Sequence, residues 1–382
     1  MDFAFAPGIT RYDRTIRLLY RNRAETILIN EPTITDVAGY VHHLNSIAPD
    51  PTTAGTSFHI GTHGDDNAWM WVPWDISSGN NTTWEDLDNA HNAASTELQD
   101  EIILPRPTGP DDAEIPPKLL IKGCRIALSQ AFMDKMKEAI NGSTSNTITV
   151  TAPKFYHALI HHLGKGIFEH FLYDFKTFSR TRITTRANLI TALVGENHSD
   201  IHSNIITEAQ YKSWVPTNIN AASNALQRVS ITPTPIPGFT RRTTGRYRHT
   251  HATVIRFGAG NITPPAGADD QAALFISLLT ETADAGGTFF AEALREDHPF
   301  PIFTRFGYTS IEDMVNNLQL TYTRQNATNV IITGKRHEYD VNPPVVDTDG
   351  RTLIFNYYAI GGSGTTAVTN FTDTDDRFYI TT

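Results

Sequence analysis

The sequence predicts an α/β domain built on a mostly parallel central sheet, followed by a smaller α+β domain. Three observations lead there. Short apolar runs with strand composition recur along the first half of the chain. Segments whose apolar residues fall at helical spacing separate them, and strand–helix alternation is the pattern of a parallel sheet covered on both faces. The proline-rich stretch Thr232-Pro233-Thr234-Pro235-Ile236-Pro237-Gly238 then breaks the alternation, disfavouring both helix and central strand. Residues 1–230 are therefore expected to form the first domain and residues 231–382 the second.

In chain order, Glu25 to Asn30 reads as a short buried strand. Thr33 or Thr35 can cap a following helix whose apolar positions are Val37, Tyr40, Val41 and Leu44. The run Phe58-His59-Ile60-Gly61 is a second strand, leading into His63-Gly64-Asp65-Asp66. Leu104 to Pro117 holds five prolines and reads as a long surface loop between two apolar runs. Lys118 to Lys122 is a third strand, entering Gly123-Cys124 and then a helix carrying Phe132, Met133, Met136 and Ile140. Thr147 to Thr151 is a fourth strand, and the aromatic-rich segment Tyr156 to Phe178 is expected to be helical. Beyond residue 231, strand-like runs at Thr253–Phe257, Asn329–Thr333, Thr352–Ala359 and Phe378–Thr381 surround helix-like segments near Gln271–Leu279 and Ile311–Leu318.

Composition narrows the function. The 382 residues carry 41 acidic against 31 basic side chains, a formal charge of −10, and the pI is near 5.8, so nucleic acid is not expected as a main ligand. Forty per cent hydrophobic and 19 per cent charged residues describe a globular chain. No apolar run of membrane-spanning length and no signal-peptide pattern is present, so no membrane partner is expected and the reading is cytoplasmic. The single cysteine, Cys124, excludes an intramolecular disulfide framework and a Cys-rich zinc site. It is either a small buried hydrophobe or a nucleophile.

Ligands of an open α/β sheet sit beyond the carboxyl ends of its strands, where both His63 and Cys124 fall. A thiol needs a base to become a thiolate near neutral pH, and acyl transfer also needs donors aimed at the developing oxyanion. His63 supplies the base. The N–H groups of Gly64, which has no Cβ, and of Cys124, expected at a helix start, supply the donors. Lys122, two residues before the nucleophile on the same strand face, and Asp65 are the candidate substrate-binding residues.

An apolar strand ending in His63-Gly64 and a later one ending in Gly123-Cys124-Arg125 resemble the caspase-like cysteine peptidases, the clan of caspases, metacaspases, legumain, gingipains and bacterial CHAT domains. Thr149-Val150-Thr151-Ala152-Pro153, Phe168 to Phe175 and Trp214-Val215-Pro216 look like CHAT-type domains in particular. The resemblance covers residues 24 to 220. It implies a three-layer sandwich and a cysteine endopeptidase with His63 and Cys124 as its dyad. It also implies a protein or peptide substrate, a regulatory partner or activator, no cofactor, and a role in bacterial defence or cell death. Many relatives carry glycine or serine shortly after the cysteine, where this chain has Arg125-Ile126-Ala127. Relatives that cut after basic residues or asparagine often hold an acid at the slot of Lys122, and caspases hold glutamine, so lysine implies an acidic or neutral P1 side chain.

Two other functions compete. One is an inactive interaction module on a peptidase fold; the other is a metal-dependent hydrolase using His59, His63 and Asp65, although their spacing matches no established zinc pattern and no metal site is expected. His59 is read as a packed histidine. His157, His161 and His162, and the basic cluster Arg246, Arg248, His249 and His251, are read as solvated or packed faces. Trp69, Trp71, Trp74 and Trp84 either wall a peptide groove or fill core. The loop Leu104–Pro117 joins the two candidate catalytic strands and is either a regulatory flap or a plain insertion.

Overall fold

The computed structural model describes residues 2–47, 57–65, 69–75, 78–92, 103–106, 115–141, 148–162, 166–172, 174–201, 207–217, 227–230, 244–250, 253–257, 308–317, 321–324, 330–334, 337–342, 354–358 and 375–382, with residues 219, 273 and 303 singly. The chain divides into two compact units, residues 1–173 with 346–382, and residues 174–345. This division does not fall at the expected boundary. The proline-rich stretch lies outside the described residues, and the last part of the chain belongs to the first unit because its strands pair there.

The first unit carries a six-stranded sheet. Its strands are β1 (Asp2–Phe5), β2 (Thr26–Ile29), β3 (Ser57–Gly61), β7 (Lys118–Lys122), β8 (Thr149–Pro153) and β19 (Tyr379–Thr381), in the order β19-β8-β7-β3-β1-β2. All neighbours are parallel except β19, which adds antiparallel to β8. Helices α1 (Arg11–Asn22), α2 (Val37–Ser46), α3 (Trp84–Asn92) and α4 (Gln130–Asn141) fall in the crossovers. From β1 the chain runs outward to β2, then returns across β1 to β3 and continues through β7 to β8. The order thus reverses between β1 and β3, the switch point where an open sheet offers a crevice.

Side-chain alternation assigns the faces. Phe3, Phe5, Phe58 and Ile60 share one face. There Phe5 stacks on Tyr40 of α2 at 4.8 Å and Phe3 on Phe58 at 6.1 Å, and Tyr40 Oη donates to Phe3 O at 3.0 Å. Ala4, His59 and Gly61 share the other, where Ala4 and Ala6 pack with Ile16, Leu19 and Tyr20 of α1. Both faces are therefore helix-covered, as the alternation predicts. Each fully buried large apolar side chain contributes roughly 1.5–3 kcal/mol of transfer free energy.

Helix α1 starts on a capping box: Asp13 N donates to Thr10 Oγ1 at 3.3 Å, and Thr10 N donates to Asp13 Oδ2 at 2.8 Å. Helix α2 finds partners for its first N–H groups in Pro73 O (from Val37 N), Trp74 O (from Ala38 N) and the Asp36 side chain (from Gly39 N). A small antiparallel sheet of β4 (Gly64–Asp65), β5 (Trp69–Met70) and β6 (Thr82–Thr83) follows β3.

The segment from Tyr156 is not helical. It forms β9 (Tyr156–His162) and β10 (Gly166–Leu172), an antiparallel hairpin extended by β18 (Ile354–Tyr358). Gly166, which opens β10, has φ 125°, a value glycine adopts without strain. β10 brings Ile167 into the cluster around α1, so the hairpin lies on the α1 face of the sheet.

The second unit is α+β. A four-stranded antiparallel sheet runs β11 (Phe175–Ser179), β17 (His337–Asn342), β13 (Thr244–Thr250) and β12 (Gln227–Ser230). A three-stranded one runs β14 (Thr253–Phe257), β16 (Val330–Gly334) and β15 (Thr321–Arg324). Its helices are α5 (Arg186–Ile201), α6 (Glu208–Trp214) and α7 (Ile311–Asn317). Phe175 packs edge-on against Tyr211 at 4.7 Å, and Arg180 makes a two-pronged bond to Asp313 at 2.6 and 2.7 Å. The helix expected near Gln271–Leu279 lies outside the described residues apart from 273. No helix among the described residues is long and apolar enough to cross a membrane.

Candidate active site

Strands β3 and β7 are hydrogen-bonded neighbours, with Gly61 opposite Lys122, and the ladder runs one residue further because Thr62 N donates to Lys122 O at 3.0 Å. His63 and Cys124 therefore leave the sheet from adjacent strands at the same level. β1, on the other side of β3, delivers Thr10 to this edge, and His63 Nε2 lies 2.8 Å from Thr10 Oγ1. The imidazole is flanked by the rings of Tyr12 at 4.8 Å and Trp71 at 5.1 Å. Its backbone is fixed as well, with His63 O accepting from Trp71 N at 2.8 Å and from Thr62 Oγ1 at 3.0 Å.

Cys124 is half-buried, and its thiol donates to His157 O at 3.4 Å. Arg125 follows in a left-handed conformation, φ 56° and ψ 13°, which turns the chain sharply after the thiol. Its N–H donates to Phe155 O at 3.0 Å, and its guanidinium lies over the Tyr156 ring.

Tyr12 joins the two halves of the site. Its ring contacts His63, and its hydroxyl lies 3.1 Å from Lys122 O and 2.7 Å from His157 Nδ1. Burial first, then the electrostatic influence of Cys124 and Glu169, pushes the Tyr12 hydroxyl well above its ordinary range. Behind it, Glu169 Oε1 takes His157 Nε2 at 2.5 Å and Lys122 Nζ at 2.6 Å. A carboxylate accepts, so His157 Nε2 donates to Glu169 Oε1.

This corrects the expected role of Lys122. Alternation does put it on the same strand face as Cys124, but the β9–β10 hairpin covers that face. The side chain is 0% exposed, paired with Glu169 and also bonded to Tyr379 Oη at 3.2 Å. It does not project into an open groove. Asp65 lies in β4 opposite Trp69; its side chain is outside the described residues.

The backbone at the two expected oxyanion donors is as follows. Trp71 N bonding His63 O makes those two a bonded pair, so in the antiparallel alternation the next pair, Gly64 and Met70, turns its backbone groups outward. The Gly64 N–H thus points away from β5. Cys124, however, does not open a helix: a short 3-10 turn, Ile126–Leu128, precedes α4, so no helix dipole of any length acts on its N–H. Both motif glycines also have a packing reason. A Cβ on Gly64 would lie 2.6 Å from Ile126 Cδ1, and one on Gly123 2.5 Å from the same atom. The Ile126 side chain occupies the space that the two missing side chains leave.

The other candidates divide. His59 is a packed histidine on the α1 face, Nδ1 3.3 Å from Tyr20 Oη and Nε2 3.5 Å from Asp2 Oδ2. Among the described residues no group of three or more His, Cys, Asp or Glu side chains is arranged to hold a metal. Trp74 is core, whereas Trp71 is 52% exposed, stacked on Trp69 at 5.7 Å and beside His63. His157, His161 and His162 lie on a strand, and His249 stacks on Tyr339 at 4.5 Å within the second unit. Residues 107–114 of the proline-rich loop are outside the described residues, while Leu104 is buried and its N–H bonds Ile140 O at 3.4 Å.

Sequence reasoning missed Thr10, Tyr12 and Asp13, since neither β1 nor α1 was expected. The signal was present in Thr10-x-x-Asp13, a capping box ahead of Ile16, Leu19 and Tyr20 at helical spacing. The roles of His157 and Glu169 depend on the hairpin. No family model, curated protein or solved structure matches this chain.

Proposed function

We propose that this protein is a cysteine endopeptidase of caspase-like type, with the three-layer architecture that the resemblance implies and His63 and Cys124 as its dyad. The observation that supports this reading is the continuation of the β3–β7 ladder to Thr62 and Lys122, after which His63 and the single cysteine of the chain follow the ends of two neighbouring strands next to the switch point. In the reaction, His63 takes the Cys124 proton and Sγ attacks the scissile carbonyl carbon. The N–H groups of Gly64 and Cys124 receive the developing oxyanion. His63 then protonates the leaving amine, the C–N bond breaks, and an acyl-enzyme remains. Water, deprotonated by His63, hydrolyses the thioester and regenerates the thiol. The substrate is a protein or peptide. By resemblance the enzyme is cytoplasmic, controlled by an activator or regulatory partner, and serves bacterial defence or cell death.

The deciding experiment is hydrolysis of a mixed peptide library by the wild type, Cys124→Ala and His63→Ala, read by mass spectrometry, with circular dichroism as the check of fold. Both variants are expected to fold and to lose cleavage. Wild-type cleavage by Cys124→Ala removes the reading.

A further inference from the structure

We infer that Thr10, backed by Asp13, is the positioning residue of the dyad: it fixes the proton of His63 on Nε2 and leaves the Nδ1 lone pair for Cys124. This rests on the dyad reading above and names the third group that a working base requires. Thr10 Oγ1 has a single proton and donates it to Asp13 Oδ2 at 2.6 Å. A hydroxyl so engaged can only accept from His63 Nε2, 2.8 Å away, so Nε2 must carry hydrogen. In neutral imidazole that makes Nδ1 the basic atom.

The same contacts favour the charged state of the pair. When His63 takes the thiol proton, the Nε2–H bond to Thr10 persists, and the Asp13 carboxylate behind the hydroxyl stabilises the imidazolium through it. Asp13 is buried, and its Oδ2 also accepts from Thr10 N at 2.8 Å. A Cβ on Gly8 would lie 2.3 Å from Asp13 Oδ2, so glycine there makes room for the carboxylate. An N-cap threonine serves its helix by accepting from the N3 N–H alone; here its proton and its second lone pair are both committed to a line running from Asp13 to His63. The titratable groups on the elements about His63 are Tyr12 of α1, whose ring contacts it, Asp13 of α1 behind Thr10, and Cys124 after the neighbouring strand β7.

The test uses the full chain, whose only cysteine makes thiol alkylation a direct reading of Cys124. Iodoacetamide alkylation rates are measured across pH for the wild type, Thr10→Val, Thr10→Ser, Asp13→Asn and His63→Ala, and long-range proton–nitrogen spectra of the wild type report the His63 tautomer. The expected tautomer is Nε2–H. Thr10→Val and Asp13→Asn are expected to move the alkylation profile to higher pH and to slow alkylation at neutral pH by about three- to tenfold, the worth of one hydrogen bond. Thr10→Ser should keep the wild-type profile. In peptide hydrolysis kcat should fall in Thr10→Val with KM unchanged. An Nδ1–H tautomer in the wild type overturns the inference without any variant. A wild-type profile in Thr10→Val, where His63→Ala does shift it, overturns the inference and leaves the dyad standing. A wild-type profile in His63→Ala removes the dyad and the inference with it.

Discussion

Lys122 Nζ and Glu169 Oε1 lie 2.6 Å apart, and neither side chain has any exposed surface. The pair joins strand β7 to the hairpin above it, and through His157 and Tyr12 it ends beside His63. Replacing one partner strands the other charge in the core, which typically costs about 3–5 kcal/mol. Glu169→Leu and Lys122→Met are each expected to lower unfolding free energy by that order. The double variant Lys122→Met with Glu169→Leu should recover part of the loss. Urea denaturation of the three variants checks this, and additive losses would contradict a coupled pair.

The packing of Ile126 between Gly64 and Gly123 separates a steric role for Gly64 from an oxyanion role. Gly64→Ala should destabilise by about 1–3 kcal/mol through overpacking against Ile126 and Trp69 O. Trimming the neighbour in Ile126→Val should relieve part of that cost, and a double-mutant cycle measures how much. If peptide hydrolysis returns with stability, the Gly64 side-chain position matters only for packing.

Trp71 stands half-exposed beside His63 and stacks on Trp69. Removing an exposed ring should cost little stability, so Trp71→Ala is expected to keep the wild-type melting temperature within a few degrees. If the ring forms a wall of the peptide groove, KM rises while kcat holds. Steady-state kinetics on one cleaved peptide, with the same peptide lacking its apolar side chains for comparison, gives the answer.

The turn that feeds β19 depends on Asp375. The side-chain hydrogen bond from Arg377, then the Arg377 backbone N–H and the nearby charges of Arg377 and Lys154, hold its carboxyl below the usual value of 3.8 despite some desolvation. A lowered folded-state pKa gives stability that is present in full above 3.8 and lost as pH falls through the folded value. Asp375→Asn should therefore be less stable than the wild type at pH 7. The gap should narrow as pH drops below 3.8, as urea denaturation at the two pH values would show.

Local pattern by itself determined a good part of this protein. The runs that became β2, β3, β7, β8, β14 and β16 are short, apolar and bounded by turn residues, and α2, α4 and α7 carry apolar side chains at helical spacing. Such signals need no partner to be read, because burial of one face writes its period into the sequence. The lone cysteine and the histidine after an apolar run were legible for the same reason. The tertiary structure alone decided the rest. Tyr156–Leu172 carries aromatic and histidine residues that suit either a helix or buried strands; β9 pairs with β10 as a hairpin, and β18, nearly two hundred residues on, adds to it as a third strand. That pairing covers one side of β7, and so turns Lys122 from an expected groove residue into half of a buried ion pair. The return of β19 to β8 likewise moves the domain division away from the proline-rich stretch. Thr10 meets His63 across 53 positions of sequence because parallel pairing sets β1 beside β3. No local period encodes which strands become neighbours. That choice belongs to the packing of the whole sheet, and it is what assembles Thr10, His63 and Cys124 at one edge.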